Sequence, residues 1–189
     1  MQKTSKTAIF SLAMLASTTS ATLASDGGIP DKLRPATNEG LAMILPAGGV
    51  QIYECRMTKD SAGYEWAFVA PEADLYDLHG AKVGSHYAGP HWESGDGSRV
   101  VGTTRERADA PEANAIPWLL LSAKSVGKEG SLSKVTSVLR LHTVGGIAPK
   151  DGCSKATAGS QARVSYTADY YFYAPSQPKT YGNRDFDWE

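Results

Sequence analysis

Three of the four histidines lie close together, at His79, His86 and His91, and two acids, Glu93 and Asp96, follow them. Imidazole nitrogens and carboxylate oxygens are common ligands of zinc, copper and iron, and loops between strands can bring them together. One interpretation is a metal site with His86 and His91 as ligands, completed by Glu93 or Asp96, with His79 as a further candidate. The other interpretation is that these residues cap turns. Neither H-x-H nor H-x-x-x-H spacing occurs, which favours the second.

Aromatic side chains are the other candidates, since the chain has nine tyrosines and four tryptophans. Tyr171 and Tyr173 fall on the face of a predicted strand opposite to the one that we expect to be buried. Exposed rings stack on sugars or apolar ligands, and the mouth of a β-barrel is a common ligand site. With Trp92 they form a candidate ligand face. The alternative is packing, in which a second sheet or a tail carrying Phe186 and Trp188 covers the same face.

No complete catalytic constellation is present. The chain lacks the nucleophile motif G-x-S-x-G, and carboxylates such as Glu54, Glu65 and Glu72 all fit solvent-facing strand positions. We therefore nominate no catalytic residue and predict no cofactor beyond the metal ion of the first interpretation.

Length and charge narrow the class of protein. With 189 residues the chain fits one domain, and its formal net charge of −1 lacks the basic excess of a nucleic-acid binder. Lys3 and Lys6, an apolar run of about ten residues and the sequence Thr22–Ala24 predict a cleaved signal peptide over residues 1–24. The apolar run is about half the length of a spanning helix, so we expect no transmembrane anchor after cleavage. The mature protein is predicted to be secreted or periplasmic.

Export changes the interpretation of the two cysteines. Disulfides persist in oxidising compartments, and neither Cys55 nor Cys153 lies in a C-x-x-C motif or beside a group that would generate a thiolate. We expect the two to form a structural disulfide.

Residues 25–175 are dominated by alternation of apolar and polar residues, which is typical of strands. The segment Ser25–Gly49, rich in proline and glycine, is predicted to be irregular, and residues 176–189 a polar tail. The predicted strands are Val50–Met57, Tyr64–Ala70, Leu75–His79, Val83–Tyr87, two strands around the Asp96-Gly97 turn, Ile116–Val126, Leu132–Val144 and Val164–Tyr173. In the last of these, Val164, Tyr166, Ala168, Tyr170 and Phe172 share one face.

The dipeptide Asp96-Gly97 predicts a two-residue type I′ hairpin turn. That turn would pair Glu93 with Val100, Trp92 with Val101 and His91 with Gly102. Trp92 would then be buried, and His91 and Glu93 would share the opposite face. The whole pattern predicts an all-β domain, a single antiparallel sandwich or barrel of about eight to nine strands.

Several segments together resemble the domain of unknown function DUF3455, found in bacterial exported and fungal secreted proteins. They are Gly49–Cys55 (GVQIYEC), Trp66–Leu75 (WAFVAPEADL), Gly84–Gly97 (GSHYAGPHWESGDG), Ile116–Ala123 (IPWLLLSA), Thr143–Cys153 (TVGGIAPKDGC) and Tyr166–Tyr173. The resemblance implies no reaction, because the activity of the family is undefined. Some fungal relatives carry the label malate dehydrogenase, but this chain has no G-x-G-x-x-G fingerprint, so its residues do not support that NAD-dependent activity.

Two functions remain as expectations. The first is a non-catalytic module that binds a small molecule, a glycan or an envelope component. The second is a metal-dependent enzyme, redox chemistry included, built on the histidine-rich loop.

Overall fold

The computed structural model describes residues 28–176 of the chain. The described residues form eight strands: β1 (Glu39–Met57), β2 (Tyr64–Tyr76), β3 (Lys82–Tyr87), β4 (His91–Ser94), β5 (Arg99–Ala108), β6 (Trp118–Ser125), β7 (Ser137–Gly145) and β8 (Gln161–Pro175). Short 3-10 helices, Asp31–Leu33 and Lys155–Thr157, precede β1 and β8. The predicted signal peptide, and the predicted tail beyond residue 176, lie outside the described residues.

The eight strands form one antiparallel sheet that closes into a barrel. Each strand pairs with the next along the chain, and β1 pairs with β8 to complete the ring. The expectation of an all-β antiparallel domain is confirmed, and the structure selects a barrel over a sandwich. Within residues 28–176 there is no helix with the length and apolarity needed to cross a membrane.

The first strand begins earlier than predicted. The expectation of irregular structure up to Gly49 is wrong from Glu39 onward, because this stretch pairs with β8 along its whole length. Pro46 is tolerated because pairing with β2 begins only at Ala47, which leaves one side of the strand open. At Gly49 a side chain would collide with the carbonyl oxygen of Glu72, so glycine permits the close approach of β1 and β2.

Two other boundaries differ from the prediction. The strand expected to begin at Leu75 is the end of β2, which continues through Pro71 without interruption. The strand expected to begin at Leu132 starts at Ser137, since residues 131–134 form a turn.

The β4–β5 hairpin has a longer loop than predicted, and its register is therefore shifted by one residue. Ser94 donates its N–H to the carbonyl of Ser98, and Gly97 takes a left-handed conformation with φ of 85°. This is a three-residue loop with a glycine bulge, so the two-residue type I′ turn is wrong. The observed pairs are Glu93 with Arg99, Trp92 with Val100 and His91 with Val101. Trp92 is buried as expected, but its buried partner is Val100.

Apolar side chains form two cores, one inside the barrel and one outside. The inner core contains Ala47, Ala73, Leu75, Trp92, Val100, Ile116, Leu121, Leu132, Val135, Val138, Tyr166, Ala168, Tyr170 and Phe172. The outer core contains Leu33, Ala108, Trp118, Leu120, Leu139 and Leu141. It forms because Leu33, in the first 3-10 helix, packs against the outer face of the sheet and is completely buried. The predicted buried face of β8 is confirmed from Tyr166 to Phe172, since Tyr166, Ala168, Tyr170 and Phe172 are all in the inner core, whereas Val164 is only half-buried.

A disulfide joins β1 to the loop that precedes β8. Cys55 and Cys153 are bonded, with their Cα atoms 5.3 Å apart and 98 positions apart in the sequence. The predicted pairing is present, and it ties the loop between β7 and β8 to the barrel wall.

Candidate functional site

The inner core does not fill the whole barrel, and a cavity remains toward one end. An inner chamber of about 320 Å³ and an outer chamber of about 740 Å³ share five lining residues: Gln51, Phe68, Thr104, Leu119 and Arg140. The shared lining makes the two chambers parts of one cavity. The outer chamber is bounded by the loop between β5 and β6 and by Ile147 and Ala148. Cavities of this size, mainly apolar with a few polar groups, are the usual sites for small molecules.

Alternation along β7 places Arg140 inside the barrel. Val138 belongs to the inner core, while Leu139 and Leu141 point outward and are covered by the outer core. Arg140 follows the same alternation as Val138 and lines both chambers. Its Nε and Nη2 donate to the carbonyl oxygen of Pro117 at 3.1 and 2.8 Å. Among the ion pairs of residues 28–176, none involves this guanidinium.

His86 is a buried, neutral member of the cavity wall. It is 3% exposed, and its ring stacks on that of Trp92 with centroids 4.4 Å apart. Burial lowers the pKa of His86 to about 3, although the bond to His91 opposes the shift. Its Nδ1 lies 2.8 Å from the carbonyl oxygen of His91. Since a carbonyl oxygen only accepts, Nδ1 carries the proton, and Nε2 is left as a hydrogen-bond acceptor.

Three tyrosines bring phenol groups into the same interior. The hydroxyls of Tyr166 and Tyr170 lie 3.3 Å apart, and Tyr53 donates to the carbonyl oxygen of Gly146 at 2.6 Å. Burial raises the pKa of all three phenols, while the positive charge of Arg140 opposes the rise. The phenols are therefore neutral hydrogen-bonding groups at physiological pH.

Two buried donors on the cavity wall have no hydrogen-bond partner among the described residues. They are Nε2 of Gln51 and Nε1 of Trp92, on side chains that are 2% and 1% exposed. An unpaired buried donor costs about 1–3 kcal/mol, so native proteins keep few of them. Both donors belong to side chains that line the inner chamber.

The structure separates the predicted metal ligands. His86 points into the barrel, whereas His91 stacks on the Tyr87 ring on the outer face. Glu93 also lies outside, where it accepts a hydrogen bond from Tyr87 at 2.5 Å. His79 is exposed in the turn between β2 and β3. No three histidine, cysteine or acidic side chains within residues 28–176 are grouped so that they could hold a metal ion.

Asp96, the other carboxylate considered for that site, organises the hairpin loop. It accepts hydrogen bonds from Ser98 and from the backbone of Ser131. These bonds hold the pKa of Asp96 well below its usual range. Its role in the structure is to connect the β4–β5 loop to the β6–β7 loop.

The predicted aromatic ligand face is divided between the two surfaces of the barrel. Trp92 lines the inner chamber. Tyr171 and Tyr173 lie outside, half-buried against the outer core near Ile29 and Leu33. The covering element is the segment before β1, and the predicted alternative covers, Phe186 and Trp188, lie outside the described residues.

Gln51, Arg140 and the three tyrosines of the interior were not nominated from the sequence. Sequence alternation predicts that the polar residues of a strand face solvent. In a barrel with a cavity, some of them face the interior instead. The sequence contains one indication of this arrangement. Arg140 lies between Leu139 and Leu141, so if both leucines are covered on one face of β7, the side chain of Arg140 lies on the other.

Fold and site together define a class of protein, an eight-stranded antiparallel barrel with an interior cavity of mixed apolar and polar lining. The family model described as "Protein of unknown function (DUF3455)" matches residues 35–174, most of the chain. The chain belongs to the DUF3455 family. Neither a curated protein nor a solved structure shows significant similarity to it.

Proposed function

We propose that this domain is a non-catalytic binding module that takes a small organic molecule into the barrel cavity. The observation that carries the proposal is the pair of unpartnered buried donors, Gln51 Nε2 and Trp92 Nε1, on the wall of the cavity. A buried donor that finds no acceptor keeps its desolvation cost. A ligand that accepts hydrogen bonds removes that cost on binding.

A small molecule is favoured over a glycan or an envelope component as the occupant. The aromatic residues that would stack on a sugar from outside, Tyr171 and Tyr173, are packed against the outer core. The inner chamber, by contrast, presents Phe68, Leu119 and Trp92 to a molecule of limited size. Contact with three apolar walls suits a flat apolar body.

We place this binding function outside the cytoplasm. The Cys55–Cys153 disulfide supports that location because such bonds persist in oxidising compartments. The predicted signal peptide at residues 1–24 is the second support. Detection of the protein in the periplasmic or culture fraction, with residues 1–24 removed, tests this part of the proposal.

The binding proposal is tested by nuclear magnetic resonance with 2-naphthamide, a flat, neutral and mostly apolar probe. Trp92 lines the cavity, while the indole N–H of Trp66 donates to the Asp151 carbonyl at 2.9 Å on the outside. Saturable binding should shift the Trp92 signal and leave the Trp66 signal in place. At about −0.3 kcal/mol per non-hydrogen atom, Kd is expected to be about 1 mM or tighter. Trp92→Phe and Trp66→Phe assign the two signals.

Two threonines on β5 provide matched variants. Thr104 lines both chambers, and Thr103 precedes it on the opposite face of the strand. Thr104→Trp should block the cavity and abolish the Trp92 response, whereas Thr103→Trp should preserve it. Binding that shifts Trp66 alone, or that survives Thr104→Trp unchanged, would place the ligand outside the barrel and refute the proposal.

A further inference from the structure

The inner chamber contains one charge. Of its thirteen lining residues in the described part of the chain, Arg140 is the single one that is charged, because His86 is neutral. The remaining walls are apolar or uncharged, so nothing in the chamber neutralises the guanidinium. A cation facing low-dielectric surroundings attracts an anion more strongly than one in water.

The hydrogen bonds of Arg140 are made to uncharged groups. Nε and Nη2 are directed to the neutral carbonyl of Pro117, and the guanidinium also lies near the neutral phenol of Tyr170, so none of these partners carries a charge. The influence of the charge extends through the interior, since it opposes the burial effect on the phenols of Tyr53, Tyr166 and Tyr170. The charge of Arg140 therefore acts on the inner part of the barrel, whereas the wall of the outer chamber also contains Arg107, Asp109 and Glu112.

The position of Arg140 sets the orientation of a ligand. Arg140 lines both chambers, while Trp92 and Leu121 line the inner chamber alone. An anionic group at Arg140 would lie at the junction, and an apolar body attached to it would extend inward. The planar fork of a guanidinium matches the two oxygens of a carboxylate.

We infer that the cavity selects aromatic monocarboxylates, with the carboxylate bound by Arg140 at the junction of the chambers and the ring against Trp92, Leu119 and Leu121. The inference rests on the proposed function and adds the chemical class of the ligand. It gives Arg140 the role of distinguishing a charged ligand from a neutral one of the same shape.

The test compares 2-naphthoate with 2-naphthamide, which have the same ring and differ in charge. Calorimetric titration of the disulfide-bonded protein at pH 7 should give a Kd for 2-naphthoate about 10- to 100-fold lower than that for 2-naphthamide, since hydrogen bonds to charged groups are the stronger ones. Arg140→Gln should remove this preference by weakening 2-naphthoate, while 2-naphthamide still binds. The control is Arg107→Gln, because Arg107 lines the outer chamber only, and it should retain the preference.

The outcomes separate the two proposals. Equal affinity of the wild-type protein for both probes overturns the carboxylate inference while the binding function stands. Binding of neither probe overturns both. A preference that persists in folded Arg140→Gln, or is lost in Arg107→Gln instead, assigns selection to another group and also overturns the inference. If Arg140→Gln does not fold, Arg140→Lys is the decisive variant. An ammonium group lacks the planar two-pronged geometry of a guanidinium, so this variant should weaken 2-naphthoate more than 2-naphthamide.

Discussion

Acidification from pH 8 to pH 5 is expected to reduce the free energy of unfolding by about 2 kcal/mol through His86 alone. In the folded protein burial lowers the pKa of His86 to about 3, whereas in the unfolded chain it has the ordinary value of about 6.5. Between these two pKa values the unfolded state binds one more proton than the native state. Stability is therefore unaffected above pH 7 and declines as the pH falls through 6.5.

The magnitude follows from the unfolded pKa. At pH 5 an unfolded histidine is almost fully protonated while native His86 is neutral, and one pKa unit corresponds to about 1.4 kcal/mol. A span of about 1.5 units, from 6.5 to 5, gives about 2 kcal/mol. Any native pKa below about 4 gives the same result, because His86 remains neutral in the folded protein at pH 5.

The assay is urea unfolding at pH 8, 6.5 and 5 for the wild-type protein and His86→Asn, whose amide can still donate toward the carbonyl of His91. Other groups that titrate independently of His86 contribute equally to the free energy of unfolding of both proteins, so their contributions cancel in the difference. Arg140 and His91 are the charged or titratable groups that also lower the pKa of His86. His91→Asn is therefore the control, and it should keep the wild-type loss of stability. A loss of equal size in His86→Asn would show that His86 is not buried as a neutral imidazole.

Two further predictions concern the elements that hold the barrel together. Leu33→Ala should lower the free energy of unfolding by about 2–5 kcal/mol, because Leu33 is completely buried in the outer core, while Leu41→Ala, at a site 51% exposed, should have little effect in the same urea titration. Equal effects would mean that the segment before β1 does not pack on the barrel. Replacing Cys55 and Cys153 together by alanine should cost about 4–5 kcal/mol in calorimetry or urea titration, since the bond closes a loop of 98 residues. A cost below about 1 kcal/mol would indicate that the unfolded chain is already compact in this region.

The alternation of apolar and polar residues at every second position is sufficient to predict the buried face of a strand when that face carries aromatic residues. In β8, Tyr166, Tyr170 and Phe172 are all inside the barrel, as their spacing predicts. The signal is strong there because large apolar side chains two residues apart need cover on one side of a sheet. The same rule gave the burial of Trp92 in β4.

The register of the β4–β5 hairpin depended on a contact that the local sequence does not contain. The dipeptide Asp96-Gly97 is compatible with two-residue and three-residue loops. The carboxylate of Asp96 bonds to Ser98 within the loop and also to Ser131, 35 positions away. The longer loop occurs together with this distant hydrogen bond, which the residue preferences of the turn cannot predict.

Tertiary pairing also overrode composition at the start of β1. Pro46 and Gly49 are poor strand residues, so Glu39–Gly49 was predicted to be irregular. The closed ring supplies β8 as a full-length partner, and the pairing outweighs the local preference. The cavity was missed for a related reason: alternation distinguishes two faces of a strand, but it does not show that the inner face of a barrel has its own polar residues, such as Gln51 and Arg140.

The pairing of the first strand with the last has a consequence for how the chain folds. β1 and β8 join residues that are roughly a hundred positions or more apart, such as Glu54 and Gln161. Ring closure must wait until β8 has been synthesised, and such distant pairings make folding slow. Until then one side of β1 is an unpaired strand edge of 19 residues, which is a template for association with other chains. Truncations that remove β8 are therefore expected to aggregate during synthesis, whereas in the complete ring this edge of β1 is paired with β8.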